Sequence, residues 1–172
     1  AIVLLAVLRQ TSAAQPAGTE GGAAGQSAAL PTAAAPHEGP PYTIAIDAGH
    51  GGTDIGAEGV INEIQLTEAT IGYLEGWLTQ DENYTPVRTD TFSKNTERAA
   101  AANSAGASLL LSVHGNSDPY SSDSYGLECY PQPPGRTHHE DSLRLAHLIA
   151  DKFGAAGQRL RGNAGVRYIY YA

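Results

Sequence analysis

The sequence has a single cysteine and no methionine among its 172 residues. One thiol, Cys129, cannot form an internal disulfide, and it cannot build a structural zinc site that needs several thiolates. Any metal must therefore be held mainly by His, Asp or Glu. Because Cys129 lies in a strand pattern, we expect it to be a small buried hydrophobic residue.

Basic residues are also scarce. Lys and Arg number 10 against 18 Asp and Glu, which gives a formal net charge of -8. An acidic chain gains nothing from the release of counterions at nucleic-acid phosphates. We therefore exclude nucleic acid as a partner.

Long apolar runs are few, and the first stands at the very start. Ile2–Leu8 is apolar, but it is too short to span a bilayer alone. With Arg9 and the small residues after it, this run is typical of the end of a signal peptide or of a membrane anchor, and we predict that role for residues 1–10. The alternative is a stray apolar N-terminus. The missing Met and a strand pattern at the last residues suggest a piece of a longer protein.

Large apolar side chains are almost absent from residues 11–41, which are rich in Ala, Gly, Ser, Thr and Pro. Such a segment buries too little surface to offset the entropy lost on ordering. We predict a flexible linker at 11–41 and one globular domain at 42–172.

The globular part alternates between strand and helix patterns. Strands are predicted at 43–47, 84–88, 108–113, 126–130 and 166–171, and helices at 63–78, 93–105 and 140–153. This alternation is typical of an α/β domain with a mostly parallel twisted sheet flanked by helices. In the first helix, the three- and four-residue spacing of apolar side chains predicts that Tyr73 and Trp77 belong to the buried stripe.

Two histidines follow predicted strands. His50 comes after the first strand of the domain and His114 ends another, so parallel strands would bring both imidazoles to one edge of the sheet. Glu63 opens the next helix and can reach the same edge. Two His and one Glu with a position left for water form the ligand set of a catalytic zinc site. Taken singly, each residue is more often structural, and Asp47 is equally consistent with orienting a ligand or capping the turn.

Four segments carry a resemblance to a known family. IDAGHGGTDIGAEG at 46–59, NE at 62–63, ERAAAAN at 97–103 and SVHGNSD at 112–118 resemble the zinc-dependent N-acetylmuramoyl-L-alanine amidases of type 3, which act on the bacterial cell wall. The resemblance implies an enzyme that binds Zn²⁺ through His50, Glu63 and His114. It also implies hydrolysis of the amide bond between N-acetylmuramic acid and L-alanine in peptidoglycan. An exported protein of the cell envelope or the extracellular space is expected, with no activating protein indicated.

The same resemblance implies a second Glu that acts as general base on a late strand. That residue is expected beyond Ala172, so the 172 residues are expected to hold zinc and to hydrolyse peptidoglycan poorly. Glu128 is the carboxylate within the chain that would be the substitute. Two rivals remain open: another metallohydrolase such as a carboxypeptidase, and a zinc-containing wall-binding or regulatory module without activity.

Overall fold

The computed structural model describes residues 2–8, 41–51, 53–89, 94–115, 125–162 and 164–169. The predicted linker lies outside these residues except for Pro41. No helix in the described ranges combines the length and the apolar character that crossing a bilayer requires.

Five strands and three helices make up the described fold. The strands are β1 (Ile2–Leu8), β2 (Tyr42–Ala48), β3 (Tyr84–Arg88), β4 (Leu109–Gly115) and β5 (Leu127–Tyr130), and the helices are α1 (Glu63–Thr79), α2 (Asn95–Ser104) and α3 (His139–Ala155). The predicted elements from 43 to 153 agree with these bounds to within about two residues, which is the ordinary uncertainty of element ends.

The strands form one sheet in the order β3-β2-β4-β1-β5. β2 pairs in parallel with β3 and with β4, and β1 pairs in parallel with β5. The pairing between β1 and β4 is antiparallel. The α/β fold with a mostly parallel sheet flanked by helices is therefore confirmed.

Each face of the sheet is covered by different helices. On one face, Ile44, Ile46 and Val113 pack with residues of α1 and α3 in the main hydrophobic core. On the other face, Ala45 packs with Ala102 of α2 and forms a smaller cluster. The central strands have apolar side chains on both faces because helices cover both faces of the sheet.

Two details differ from the sequence-based expectations. Tyr73 and Trp77 are exposed, and Ile71 is the residue of α1 that the core buries. The strand predicted at 166–171 is wrong for its described part, 166–169, which contains only an isolated bridge between Val166 and Cys129. Positive φ angles at Gly162, Ala164 and Gly165 turn the chain just before that bridge, which prevents a longer ladder.

The apolar run at the start has an unexpected place. Ile2–Leu8 forms β1, between β4 and β5 in the sheet. A role at the end of a signal peptide or anchor stays a prediction. Cys129, in contrast, is buried in the core as expected.

Candidate metal centre

The loop after β2 holds His50 in an unusual backbone conformation. His50 has a φ of 68°, in the left-handed region that few residues other than glycine adopt. Arg98 of α2 donates hydrogen bonds to the carbonyl oxygens of Ala48, at 2.5 Å, and of His50. A buried guanidinium thus fixes the backbone on both sides of Gly49 and stabilises the strained residue.

Asp47 acts on this loop through Arg98. Its carboxylate accepts a hydrogen bond from the Arg98 guanidinium at 2.9 Å and from the hydroxyls of Thr89 and Ser112 at 3.0 and 2.5 Å. These four residues are called the Asp47 network below, and all of them are buried. Of the two interpretations of Asp47, orienting a ligand or capping the turn, the contacts favour the first, and the effect is indirect because it passes through Arg98. Asp47 orients the guanidinium that holds the His50 loop.

Glu63 is anchored by both of its carboxylate oxygens. Gly115 N–H donates to Oε1 at 2.8 Å, and Ala57 N–H donates to Oε2 at 2.9 Å. Burial raises the pKa of Glu63, but these backbone hydrogen bonds and the adjacent His50 and His114 outweigh it, and the pKa lies below its ordinary value. The helix start adds a favourable dipole. Glu63 is therefore ionised, as a metal ligand must be.

Both imidazoles meet the same oxygen of Glu63. His50 Nε2 and His114 Nδ1 each lie 3.1 Å from Glu63 Oε1. The two rings are edge to face, with centroids 5.0 Å apart. Strand β4 delivers His114 to this position at its carboxyl end, beside the loop that follows β2, as the sequence analysis predicted.

The three side chains fit a metal ion. One ligand atom from each of His50, Glu63 and His114 lies within 4.8 Å of the others. Zinc bonds of 2.0–2.2 Å in a tetrahedron separate ligand atoms by about 3.3–3.5 Å, close to the two contacts of 3.1 Å. A Cβ added at Gly49 would lie 2.4 Å from the His114 ring, and one at Gly56 would lie 2.7 Å from both Glu63 and His50. These glycines leave the room in which the ligands converge.

Asp54 is a residue of the site that sequence reasoning missed. Its Oδ2 lies 3.0 Å from His50 Nδ1, on the side of the ring away from Glu63. The hydrogen bond with His50 is the largest of the causes that lower the pKa of Asp54, and the Gly56 N–H adds to it. A carboxylate that accepts from the second ring nitrogen fixes the tautomer and the direction of a metal-binding histidine. The sequence contained a signal for this role, since Asp54 stands four residues after His50 in the motif at 46–59.

Glu128, the substitute considered for a general base, is held elsewhere. Its side chain is 0% exposed, and Arg167 and Arg161 contact its two oxygens at 2.6 and 3.5 Å. Tyr130 OH donates to the same carboxylate at 3.3 Å. A carboxylate enclosed in this way has no route to a reacting water, so the geometry argues against Glu128 as the base.

A protein-family model matches most of the chain. The family model described as N-acetylmuramoyl-L-alanine amidase matches residues 44–169. This range contains all three candidate ligands. No curated protein matches the chain significantly.

Several solved structures resemble the chain. The catalytic domain of CwlV, an N-acetylmuramoyl-L-alanine amidase from Bacillus (Paenibacillus) polymyxa var. colistinus, is 29% identical with a TM-score of 0.60, over 76% of this chain and 71% of that one. An N-acetylmuramoyl-L-alanine amidase from Clostridium difficile 630 is 26% identical with a TM-score of 0.62, over 70% and 67%. The amidase AmiC2 of Nostoc punctiforme is 26% identical with a TM-score of 0.63, over 76% and 70%.

Proposed function

This chain belongs to the N-acetylmuramoyl-L-alanine amidase family, and on that premise we propose that it uses zinc held by His50, Glu63 and His114 to hydrolyse the amide bond between N-acetylmuramic acid and L-alanine in peptidoglycan. The single observation that carries the proposal is the convergence of these three side chains on one point. Two nitrogens and one oxygen are the ligands that catalytic zinc sites use, with a position left for water. When bound, zinc would supply a Lewis acid and a water of lowered pKa.

The protein's own residues divide the remaining work. Glu63 brings a negative charge whose position two backbone N–H groups fix. Asp54 holds the His50 ring so that Nε2 faces Glu63. The Asp47 network fixes the loop that carries His50. Such anchoring keeps the ligands in their geometry before the substrate arrives, so that little reorganisation is needed during the reaction.

The general base stays a prediction, and we place it beyond Ala172. In the hydrolysis the base takes a proton from the attacking water, and the proton then passes to the departing nitrogen of L-alanine. A C–O bond forms between the water and the lactyl carbonyl carbon, the C–N amide bond breaks, and the lactyl group of the muramic acid becomes a carboxylate. Within the described residues, the nearby carboxylates of Asp54 and Glu128 are both engaged by other side chains.

Export of the protein belongs to the proposal as well. Peptidoglycan lies outside the cytoplasmic membrane, so the enzyme acts in the cell envelope or the extracellular space.

Product analysis tests the function. Purified peptidoglycan should be digested with the 172-residue polypeptide and with a longer one that includes the sequence after Ala172. We expect the longer protein to expose new L-alanine amino groups while the glycan stays intact. The shorter one should be about 10²–10⁴-fold slower if it lacks its base. Glu63→Gln in the longer protein is the control, since it should lose zinc and activity together.

Each rival predicts a different result. A carboxypeptidase would shorten the stem peptide from its other end and expose no L-alanine amine. A binding module would sediment with peptidoglycan and release nothing, even with the longer chain. Either result would overturn the proposed hydrolysis. Equal rates for the two polypeptides would place the base within residues 1–172.

A further inference from the structure

A second group of charged residues lies on the same face of the sheet as His114. Val3 of β1 is the register partner of His114 on β4 and of Glu128 on β5. Residues directly opposite one another on neighbouring strands share a face. His114 and Glu128 therefore stand in one row, two strand spacings apart, which is about 10 Å.

The Glu128 network consists of Glu128, Tyr130, Arg161 and Arg167. Glu128 is fully buried, whereas the side chains of Arg161 and Arg167 are 23% and 49% exposed. Within the part of the chain that the structure describes, Glu128 is the only carboxylate paired with either arginine. Burial and the adjacent Glu128 raise the pKa of Tyr130, so its hydroxyl stays a neutral donor. The network thus has two positive charges and one negative charge.

Both arginines are held rigidly at the outer side of β5. Arg167 N–H donates to the carbonyl of Cys129, and Arg161 N–H donates to the carbonyl of Leu127. Their side chains then converge on Glu128 from two positions on a backbone that is fixed to the sheet. One arginine would suffice to neutralise the buried carboxylate. Among the described residues, the second arginine has no further carboxylate partner, in a chain whose net charge is -8.

The excess positive charge of the two arginines favours an anionic ligand. A guanidinium has five N–H donors in a planar fork that matches a carboxylate. Each arginine directs one terminal nitrogen toward Glu128. Because both side chains are partly exposed, their remaining donors can contact a ligand that lies across the face of the sheet.

The spacing of about 10 Å between His114 and Glu128 across the sheet is comparable with the length of a short peptide. The cleaved bond lies at the metal, and an extended peptide covers about 3.3–3.6 Å per residue. The second and third residues of the stem peptide would then span about 3–11 Å from the cleaved bond. The geometry points to a subsite in which Arg161 and Arg167, fixed by Glu128, bind a carboxylate on the second or third stem residue. This inference rests on the proposed function and adds a specificity determinant to it.

Equilibrium binding tests the subsite without requiring turnover. Two N-acetylmuramoyl peptides should be compared by calorimetry on the zinc-loaded 172-residue protein, one with free side carboxylates at residues two and three and one with these groups amidated. We expect the free acid to bind more tightly, and Arg167→Gln to weaken its binding about tenfold, as for one charge-assisted hydrogen bond. Arg167→Gln should leave the amidated peptide unaffected.

The control removes an equal charge elsewhere. Arg144→Gln eliminates an exposed arginine that pairs with Asp141 on α3, and it should change neither affinity. Thermal unfolding of Arg167→Gln confirms that the fold persists, and Arg161→Gln repeats the test from the second arginine. Equal binding of the two peptides to the unaltered protein would overturn the subsite alone. Failure to bind either peptide would overturn the subsite together with the proposed function.

Discussion

The Asp47 network and the Glu128 network each contain a buried carboxylate paired with arginine, on the same face of the sheet. Only the Asp47 network is closed, in the sense that its arginine is buried as well. In the Asp47 network, the side chains of Arg98 and Asp47 are 5% and 6% exposed. In the Glu128 network the carboxylate is buried and the arginines reach solvent. In the closed network, the Arg98 guanidinium donates hydrogen bonds to the loop of His50. In the open network, the arginines keep N–H donors that can contact a ligand.

This difference has a consequence for energetics. Removing one partner of a fully buried ion pair leaves a charge without compensation, whereas a partly exposed arginine is screened by water. The Asp47 network should therefore govern stability and metal geometry. The Glu128 network should govern which peptide binds.

The largest expected effect is the loss of Arg98. Arg98→Ala leaves Asp47 buried without its cation, and we expect a loss of about 3–5 kcal/mol in the free energy of unfolding. Arg161→Ala is the matched change in the open network and should cost about 1 kcal/mol or less, because Arg167 still pairs with Glu128. Urea unfolding of both variants measures the contrast. Similar losses in the free energy of unfolding would show that the two networks do not differ in their contribution to stability.

The reactivity of Cys129 measures whether β5, the strand that also carries Glu128, stays paired in the sheet. Burial raises the pKa of the Cys129 thiol from an ordinary 9.0 to about 11. The thiolate is the reactive form, so alkylation by iodoacetamide at pH 8 should be about a hundredfold slower in the native protein than in denaturant. Mass spectrometry of timed samples gives both rates. Fast native labelling would mean that β5 opens and cannot fix the arginines.

Asp54 should have the smallest effect. Asp54→Asn keeps the shape of the side chain and loses the charge beside His50 Nδ1, so zinc affinity should fall about tenfold. Competition with a chromophoric chelator measures that affinity. Asp81→Asn is the control, because Asp81 is an exposed residue whose carboxylate serves only its own turn. An unchanged zinc affinity in Asp54→Asn would remove Asp54 from the metal centre.

The sequence was informative where the signal was local. His50 and His114 follow strands whose apolar character is plain, so their approach at one sheet edge was predictable. The position of β1 was not, because its partners lie more than a hundred residues away and its composition is equally typical of a signal peptide. The pairs of Glu128 with Arg161 and Arg167 span 33 and 39 residues and leave no periodic pattern.

The backbone around His50 shows another limit of sequence reasoning. Its positive φ and the carbonyl contacts of Arg98 depend on helix α2, which follows almost fifty residues later. The motif indicated that this loop carries a metal ligand, but it did not indicate what holds the loop. That information resides in packing, which only the assembled fold contains.

The stoichiometry of zinc tests the central claim most directly. The protein should be purified, equilibrated with zinc, dialysed and analysed for metal, beside His114→Ala and the control His147→Ala on α3. We predict about one zinc per chain in the unaltered protein and in His147→Ala, and almost none in His114→Ala, because two ligands hold zinc far more weakly than three. Full zinc occupancy in His114→Ala, or no zinc in the unaltered protein, would contradict the assignment of His50, Glu63 and His114 as the metal centre.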